Sequence, residues 1–330
     1  HRSPGRRRAR RRLTFISVLR LVPRWFEPRR VPLLTQITGI CGQLGGQVLS
    51  ALPFLALLTG TTWATAYVSV AAFGVLAMVL ALAVVRDTPH GRVVAAENLS
   101  VGAVLSSVKT VWLRPRHPTR VLHAHGTQFS VTVFCLMWGG VPYLTVAQGQ
   151  SAHVAGALLT VSVVSAICAG VFIGILTGRY PHRRSWIVLT IIASNAVMWT
   201  VILALPSRAP RCGCWSSWSW SSRPGGPGSM VGFDFARTFN PSATLGTAQG
   251  MVNMGGFIAS LLVMQAMGVL LGAAGGYSFD SFRQAWTVQY AVWAIAVIGI
   301  LITRRKTRRL LAAEQERSLL ESFEVDATER

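Results

Sequence analysis

Seven long runs of this 330-residue sequence carry no charged side chain. They lie at Val31–Leu58, Trp63–Val85, Gly126–Val146, Val154–Gly178, Trp186–Leu205, Leu245–Gly272 and Trp286–Thr303. A helix needs about 20 mostly apolar residues to cross a bilayer, and each run is near that length or beyond it. A shorter run, Leu13–Val22, is interrupted by Arg20 and reads as the end of one more helix. A buried core helix explains one such run; seven in series have no soluble explanation. Composition agrees, with 13% of residues charged and 51% hydrophobic, where soluble chains carry about 25% charge. The chain reads as an all-α, polytopic membrane helix bundle.

Basic residues outnumber acidic ones 32 to 11, a net charge of +21. Their distribution decides what that means. One set of connections holds Arg24, Arg29 and Arg30, then Arg86, Arg92, Lys109, Arg114, Arg116 and Arg120, then Arg179, Arg183 and Arg184. It closes with Arg304, Arg305, Lys306, Arg308 and Arg309 after the last run. The intervening loops, 59–62 and 147–153, hold no Lys or Arg, and 273–285 holds only Arg283. Positive charge stays on the cytoplasmic side of a membrane protein, so the basic set and the C-terminus are expected inside, at the plasma (inner) membrane. Nucleic-acid binding would gather the charge on one domain rather than alternate it, so the expected partner is the lipid bilayer and not nucleic acid.

The organisation that follows has five parts. An aberrant Arg-rich N-terminus (1–12) has seven arginines in twelve residues and no form of a cleavable signal. After it come a remnant of an N-terminal bundle (13–85), a central cytoplasmic connection (86–125), a C-terminal bundle (126–303) and a cytoplasmic tail (304–330). Within the connection, Leu99, Val101, Val104, Leu105, Val108, Val111 and Trp112 recur at helical spacing, as in an amphipathic helix on the inner leaflet. A plain polar linker is the competing reading. The tail from Leu310 is expected to be helical at first and then disordered.

The chain also repeats itself. A shift of 213 residues superposes Arg24 on Arg237, Phe26 on Phe239, Pro28 on Pro241, Gln36 on Gln249 and Gly42 on Gly255. Both copies fall in a basic connection and the first half of the next span, so the halves run in the same direction, as parallel repeats do. A duplicated bundle with a long central loop is the pattern of an alternating-access carrier.

The residues at this point resemble the major facilitator superfamily of secondary transporters. Trp25-Phe26-Glu27-Pro28-Arg29-Arg30, followed by Thr38-Gly39, Gly42 and Gly45-Gly46, looks like its connection from fourth to fifth helix. Gly174-Ile175-Leu176-Thr177-Gly178-Arg179, with Arg183 and Arg184 behind it, resembles its Gly-and-Arg loop motif between eighth and ninth helices. The family's acidic residue there is replaced by Thr177 or Gly178. Trp138-Gly139-Gly140-Val141-Pro142-Tyr143-Leu144 is similar to the end of many seventh helices. The resemblance covers most of Leu13–Arg309 and implies a partial bundle, from the end of the fourth helix to the twelfth, of two parallel-repeat halves. It implies a secondary active transporter of a small solute, driven by a proton or another coupling ion, with no cofactor. On that register three helices and part of another are missing, and the chain as written is expected to be inactive.

Candidate residues follow. Gly39, Gly42, Gly45 and Gly46, and in the other copy Gly255 and Gly256, are helix-interface candidates, since small residues let helices approach closely. Static packing and rocking surfaces both fit them. Gln43, Gln249 and Asn253, with Asn195, are buried polar candidates expected to bond a neighbouring helix. Gly139, Gly140 and Pro142 break a helix near its end and suit a gate. Trp138 and Tyr143 beside them serve either that gate or an interfacial aromatic belt. Asp234 and Arg237 are the charged pair closest to a span. Gly174, Gly178, Arg179, Arg183 and Arg184 form the loop motif.

Catalytic and metal motifs are missing. No phosphate loop is encoded, the seven histidines have no ligand spacing with carboxylates, and Cys212 and Cys214 have no partner cluster, so no metal is expected. A non-transporting membrane scaffold and an integral-membrane enzyme remain as alternative readings. One segment breaks the pattern: Ser207–Gly228 is rich in Ser, Trp, Arg, Gly and Pro, a composition that cannot span a bilayer. Read one nucleotide earlier, with Ser as TCN, every codon but one from Cys212 to Ser222 encodes an apolar aliphatic residue, Met or Phe. The segment is therefore read as frame-shifted, with a real external loop as the alternative.

Overall fold

The computed structural model describes residues 14–42, 44, 61–84, 101–113, 143–204 and 225–328. The chain forms two compact units, His1–Glu97 and Asn98–Arg330. Among the described residues every regular element is a helix.

The first unit contains α1 (Thr14–Trp25), α2 (described over Val31–Gly42) and α3 (Trp63–Val84). A turn through Phe26–Arg30 joins α1 to α2, closed by Arg30 N–H donating to the Glu27 carbonyl at 2.9 Å. Pro28 sits in that turn, where its missing donor costs nothing. Beyond it α2 buries Val31, Thr35 and Gln36. α3 is 22 residues long and apolar on every side, with large hydrophobic side chains such as Val68, Phe73 and Leu80 exposed.

The second unit begins with α4 (Val101–Leu113), which packs against α9 (Leu245–Ala273) and buries Val111. A π-helical turn at Tyr143–Ala147 precedes α5 (Ala152–Arg179). Ser151 starts α5 by accepting from Val154 N–H at 3.2 Å, which satisfies one of the free donors of a first turn. A single 3₁₀ turn, Pro181–Arg183, leads into α6 (Arg184–Ala204). The short α7 (Gly225–Ser229) and α8 (Val231–Phe239) come next, then α9, α10 (Phe279–Trp286) and α11 (Val288–Thr328). α9 ends at Gly275 and Gly276, whose φ of 86° and 103° lie where only glycine sits without strain. The chain then turns back, with Ser278 capping α10.

α6 and α11 run antiparallel in register. Trp199 stacks on Trp286, Tyr290 Oη lies 2.8 Å from Thr200 Oγ1, and the Arg304 guanidinium covers the Trp186 ring at 4.3 Å. The buried face of α11 is Gln289, Trp293, Ala296, Ile300 and Thr303, an alternating three-and-four spacing that keeps one stripe inward. On α6 the matching stripe is Arg184, Val188, Ile191, Ile192, Asn195, Trp199 and Ile202.

These helices are inside out relative to a soluble domain. α9 exposes Phe257, Ile258, Leu261 and Leu262 while burying Gln249 and Ser260; α11 exposes Ile295, Ile298 and Ile302 while burying Gln289 and Thr303. Soluble monomers rarely expose apolar surface on that scale; a bilayer covers it. Four described helices are long and apolar enough to cross one: Trp63–Val84, Pro181–Ala204, Leu245–Ala273 and Phe279–Arg309. The chain is an integral membrane protein built as an all-α bundle.

Both copies of the repeat fold as helix, tight turn, helix. α1 ends at Trp25 and α2 is described from Val31; α8 ends at Phe239 and α9 starts at Leu245. The superposed glutamines are both buried, Gln36 and Gln249. Gly42 behaves otherwise. It is exposed, and a Cβ at this position would meet nothing within 4 Å, so no described helix approaches closely at it.

The tail departs from expectation too. α11 continues as helix to Thr328, 41 residues in all or about 60 Å at 1.5 Å per residue, rather than losing structure after its first turns. Gln43, Gly45, Gly46, Trp138, Gly139, Gly140 and Pro142, with residues 205–224 of the irregular segment, lie outside the described residues.

Candidate functional site

Two clusters occupy opposite ends of the second unit. At the end where α5 hands over to α6, Arg184 is the first residue of α6 and is buried. Its Nη1 donates to Thr238 Oγ1 at 2.7 Å and to the Asp234 carbonyl at 3.5 Å; its Nε donates to the Thr177 carbonyl at 3.4 Å. One guanidinium therefore ties the last turn of α5, the start of α6 and the length of α8. The local sequence makes this unavoidable. Tyr180 and the 3₁₀ turn reverse the chain within four residues, which places Arg184 back against Thr177.

Beside it, Arg237 Nη2 bonds Asp234 Oδ1 at 3.3 Å, one helical turn along α8. Asp234 is buried, so its charge has Arg237 as direct partner and Arg184 close by. A buried charge without such partners costs several kcal/mol, on the order of the effective burial penalty per ion. The sequence motif had lost its acidic residue at Thr177 or Gly178; Asp234, 57 residues after Thr177, places one beside this corner from a neighbouring helix. Gly174 is buried beneath this corner, Gly178 half-buried, and Arg179 and Arg183 exposed. Sequence reading grouped Arg184 with Arg179 and Arg183, whereas the structure separates it from them.

At the other end, four aromatic rings close together. Tyr143 meets Phe282 at 5.3 Å and Trp286 at 5.9 Å, edge to face, and Trp286 stacks on Trp199 at 4.2 Å. All four are buried, with Tyr143 only 2% exposed. Its hydroxyl accepts from Gln148 Nε2 at 2.9 Å across the π-helical turn. Tyr143 is thus packed inside the bundle rather than exposed at its surface. Arg283, the single basic residue of its loop, donates twice to the Leu203 carbonyl, at 3.0 and 2.6 Å. It satisfies a carbonyl that the last turn of α6 leaves free, which gives the one basic residue of loop 273–285 a structural role. A shallow depression of about 390 Å³ beside it is lined by Leu203, Asp280, Arg283, Gln284 and Thr287.

Between the clusters lie buried carboxamides. Asn195 is fully buried, and among the described residues neither its Oδ1 nor its Nδ2 has a hydrogen-bond partner; the Oε1 atoms of Gln249 and Gln289 likewise have none there. The helix-bridging bond expected of Asn195 is not made to any described residue. Asn253 and Gly255 are half-buried and Gly256 buried on α9, where the Gly256 carbonyl accepts from Ser260 Oγ at 2.8 Å. Trp199, Trp286, Phe282, Gln289 and Thr238 were missed in the sequence. The register of α6 against α11 carries that information, and no local motif does.

No family model and no curated protein matches this chain. Among solved structures it is similar to a bacterial homolog to the human lysosomal transporter Spinster, crystallised inward-facing and unoccupied. The identity is 13% and the TM-score 0.46, with 88% of this chain and 74% of that chain covered.

Proposed function

We propose that this chain belongs to a secondary active transporter that moves a small solute by alternating access, with the basic end of the bundle in the cytoplasm. The observation that carries this reading is the unequal closure of the second unit. Among the described residues, one end gathers four buried aromatics, and at the other α8 is tied to α5 and α6 by one guanidinium whose three bonds include two long ones to backbone carbonyls. An end held by a few polar contacts opens at a cost of a few kcal/mol, since each such bond contributes about 0.5–3 kcal/mol net. That is the scale of a two-state equilibrium a solute or ion gradient can bias. The parallel repeat supports the reading, because carriers of this build rock one half against the other.

In this mechanism Arg184 fastens α5 and α6 to α8 when the cytoplasmic end is closed. Its release frees α8, while Asp234 keeps Arg237 as a partner and is not stranded. At the outer end Tyr143 and Trp286 separate when that side opens. The test is uptake into vesicles by the gene product that contains this chain, across a panel of small solutes under an imposed proton or solute gradient. Saturable uptake that collapses with the gradient is expected. Uptake equal to that of protein-free vesicles for the whole panel, with the protein correctly inserted, would reject transport in favour of a scaffold.

A further inference from the structure

We infer a binding site for the phosphate headgroup of an anionic phospholipid at the basic end of α6, where α5 and α11 pack against it. Four observations place it. Arg179 and Arg183 both lie over the ring of Tyr180, at 5.7 and 5.8 Å. One turn further, Arg304 covers Trp186 at 4.3 Å. Trp186 itself is 54% exposed, and Tyr180 is exposed as well. Among the described residues none of the three guanidiniums pairs with a carboxylate; the Asp234 carboxylate at this end of the unit is paired with Arg237.

Stacking on an aromatic face fixes a guanidinium in place and leaves its in-plane N–H donors free. Three such groups on one corner therefore present prearranged forks toward an oxyanion. The helix itself lacks a counter-charge here. Arg304 and Arg308, and Arg305 and Arg309, stand four residues apart on α11, a spacing at which like charges repel across one turn. An anion between the helices relieves that repulsion.

The surroundings select a lipid. Arg304 sits at the end of the apolar span Phe279–Arg309, where a basic cluster meets the headgroup layer, and exposed Trp186 has the amphipathic ring that favours this level. Basic pockets between spanning helices bind anionic headgroups on the cytoplasmic side. In this site Arg179, Arg183 and Arg304 bond the phosphodiester oxygens and Trp186 packs beside the glycerol and first acyl carbons. The inference rests on the chain's being embedded in a bilayer and not on solute transport, so its test uses no transport readout.

The experiment takes the full chain, purified free of lipid in neutral detergent, and titrates phosphatidylglycerol, phosphatidylcholine and inorganic phosphate separately. Native mass spectrometry counts retained lipid, and thermal unfolding reads stabilisation. Phosphatidylglycerol is expected to be retained and to raise the unfolding temperature, with phosphatidylcholine and free phosphate doing neither. Replacing Arg183 and Arg304 together by Gln should weaken phosphatidylglycerol binding about thirty-fold, at roughly 1 kcal/mol for each basic residue at the surface. The same change at Arg24 and Arg29 should leave it intact. A photoreactive phosphatidylglycerol on the unmodified chain should label peptides around 179–186 and 304–308, which keeps the test independent of whether the variants fold. Equal stabilisation by free phosphate, equal loss in the Arg24 and Arg29 control, or labelling elsewhere would each overturn the site.

Discussion

Trp199 stacks on Trp286 with ring centroids 4.2 Å apart and planes 21° from parallel. The contact fixes α6 against the join of α10 and α11, and Tyr143 leans on the same indole from the π-helical turn. Two chain segments 87 residues apart in sequence thus meet in one buried face.

Removing that ring leaves a large void. Trp199→Ala is expected to lower unfolding stability by about 3–5 kcal/mol, as for other buried aromatics cut to alanine. Thermal unfolding in detergent measures it. A shift no larger than that of an exposed control such as Trp63→Ala would mean the rings do not hold this end.

Thr238 offers the shortest bond to Arg184. Thr238→Val keeps the shape and removes the acceptor, so about 1–3 kcal/mol should be lost, while Thr238→Ser should restore most of it. Equal stabilities for the two variants would show that the hydroxyl is not what anchors the guanidinium.

Asn195 predicts the opposite sign. Its carboxamide is buried with neither polar atom bonded to a described residue, and an unsatisfied buried amide costs about 1–3 kcal/mol. Asn195→Leu should therefore raise the unfolding temperature. If Asn195 contacts the solute, uptake falls as stability rises, the trade typical of functional positions. A drop in stability would show instead that the amide has a structural partner.

Much of the bundle was legible because bilayer helices announce themselves by length and by the absence of charge. The ends of α3, α5, α6 and α9 fall within two residues of the uncharged runs. The site was less legible. Arg184 stood in the sequence as one of several basic loop residues, and only the tight reversal at Tyr180–Arg183 turns it inward. Tyr143 and Trp199 sit near span ends, where aromatics commonly face the interface; burial against Phe282 and Trp286 depends on helix register, which no short pattern encodes. At Gly42 no described helix comes close, since a small side chain permits approach without requiring it. The helical tail was missed because a charged composition lowers the expectation of a packed core and says little about a helix that extends from a span.

Sidedness follows from charge. With native cysteines replaced, Ser107→Cys and Thr307→Cys should react with an impermeant thiol reagent from the cytoplasm, and Gln150→Cys from outside. Gln150 serves better than Gly149, whose φ of +66° would strain a cysteine. Labelling of Gln150→Cys from the cytoplasmic side would invert the arrangement.

The central claim is that the two ends of the second unit open in alternation. It is tested most directly by breaking one end and watching the other. In a chain without native cysteines, Asn240→Cys reports the arginine end and Gln150→Cys the aromatic end. Arg184→Ala should speed alkylation at position 240 and slow it at position 150, because loosening one closure shifts the population toward the state that closes the other. A faster reaction at 240 with no change at 150 would mean local loosening of a static bundle, and would contradict alternating access.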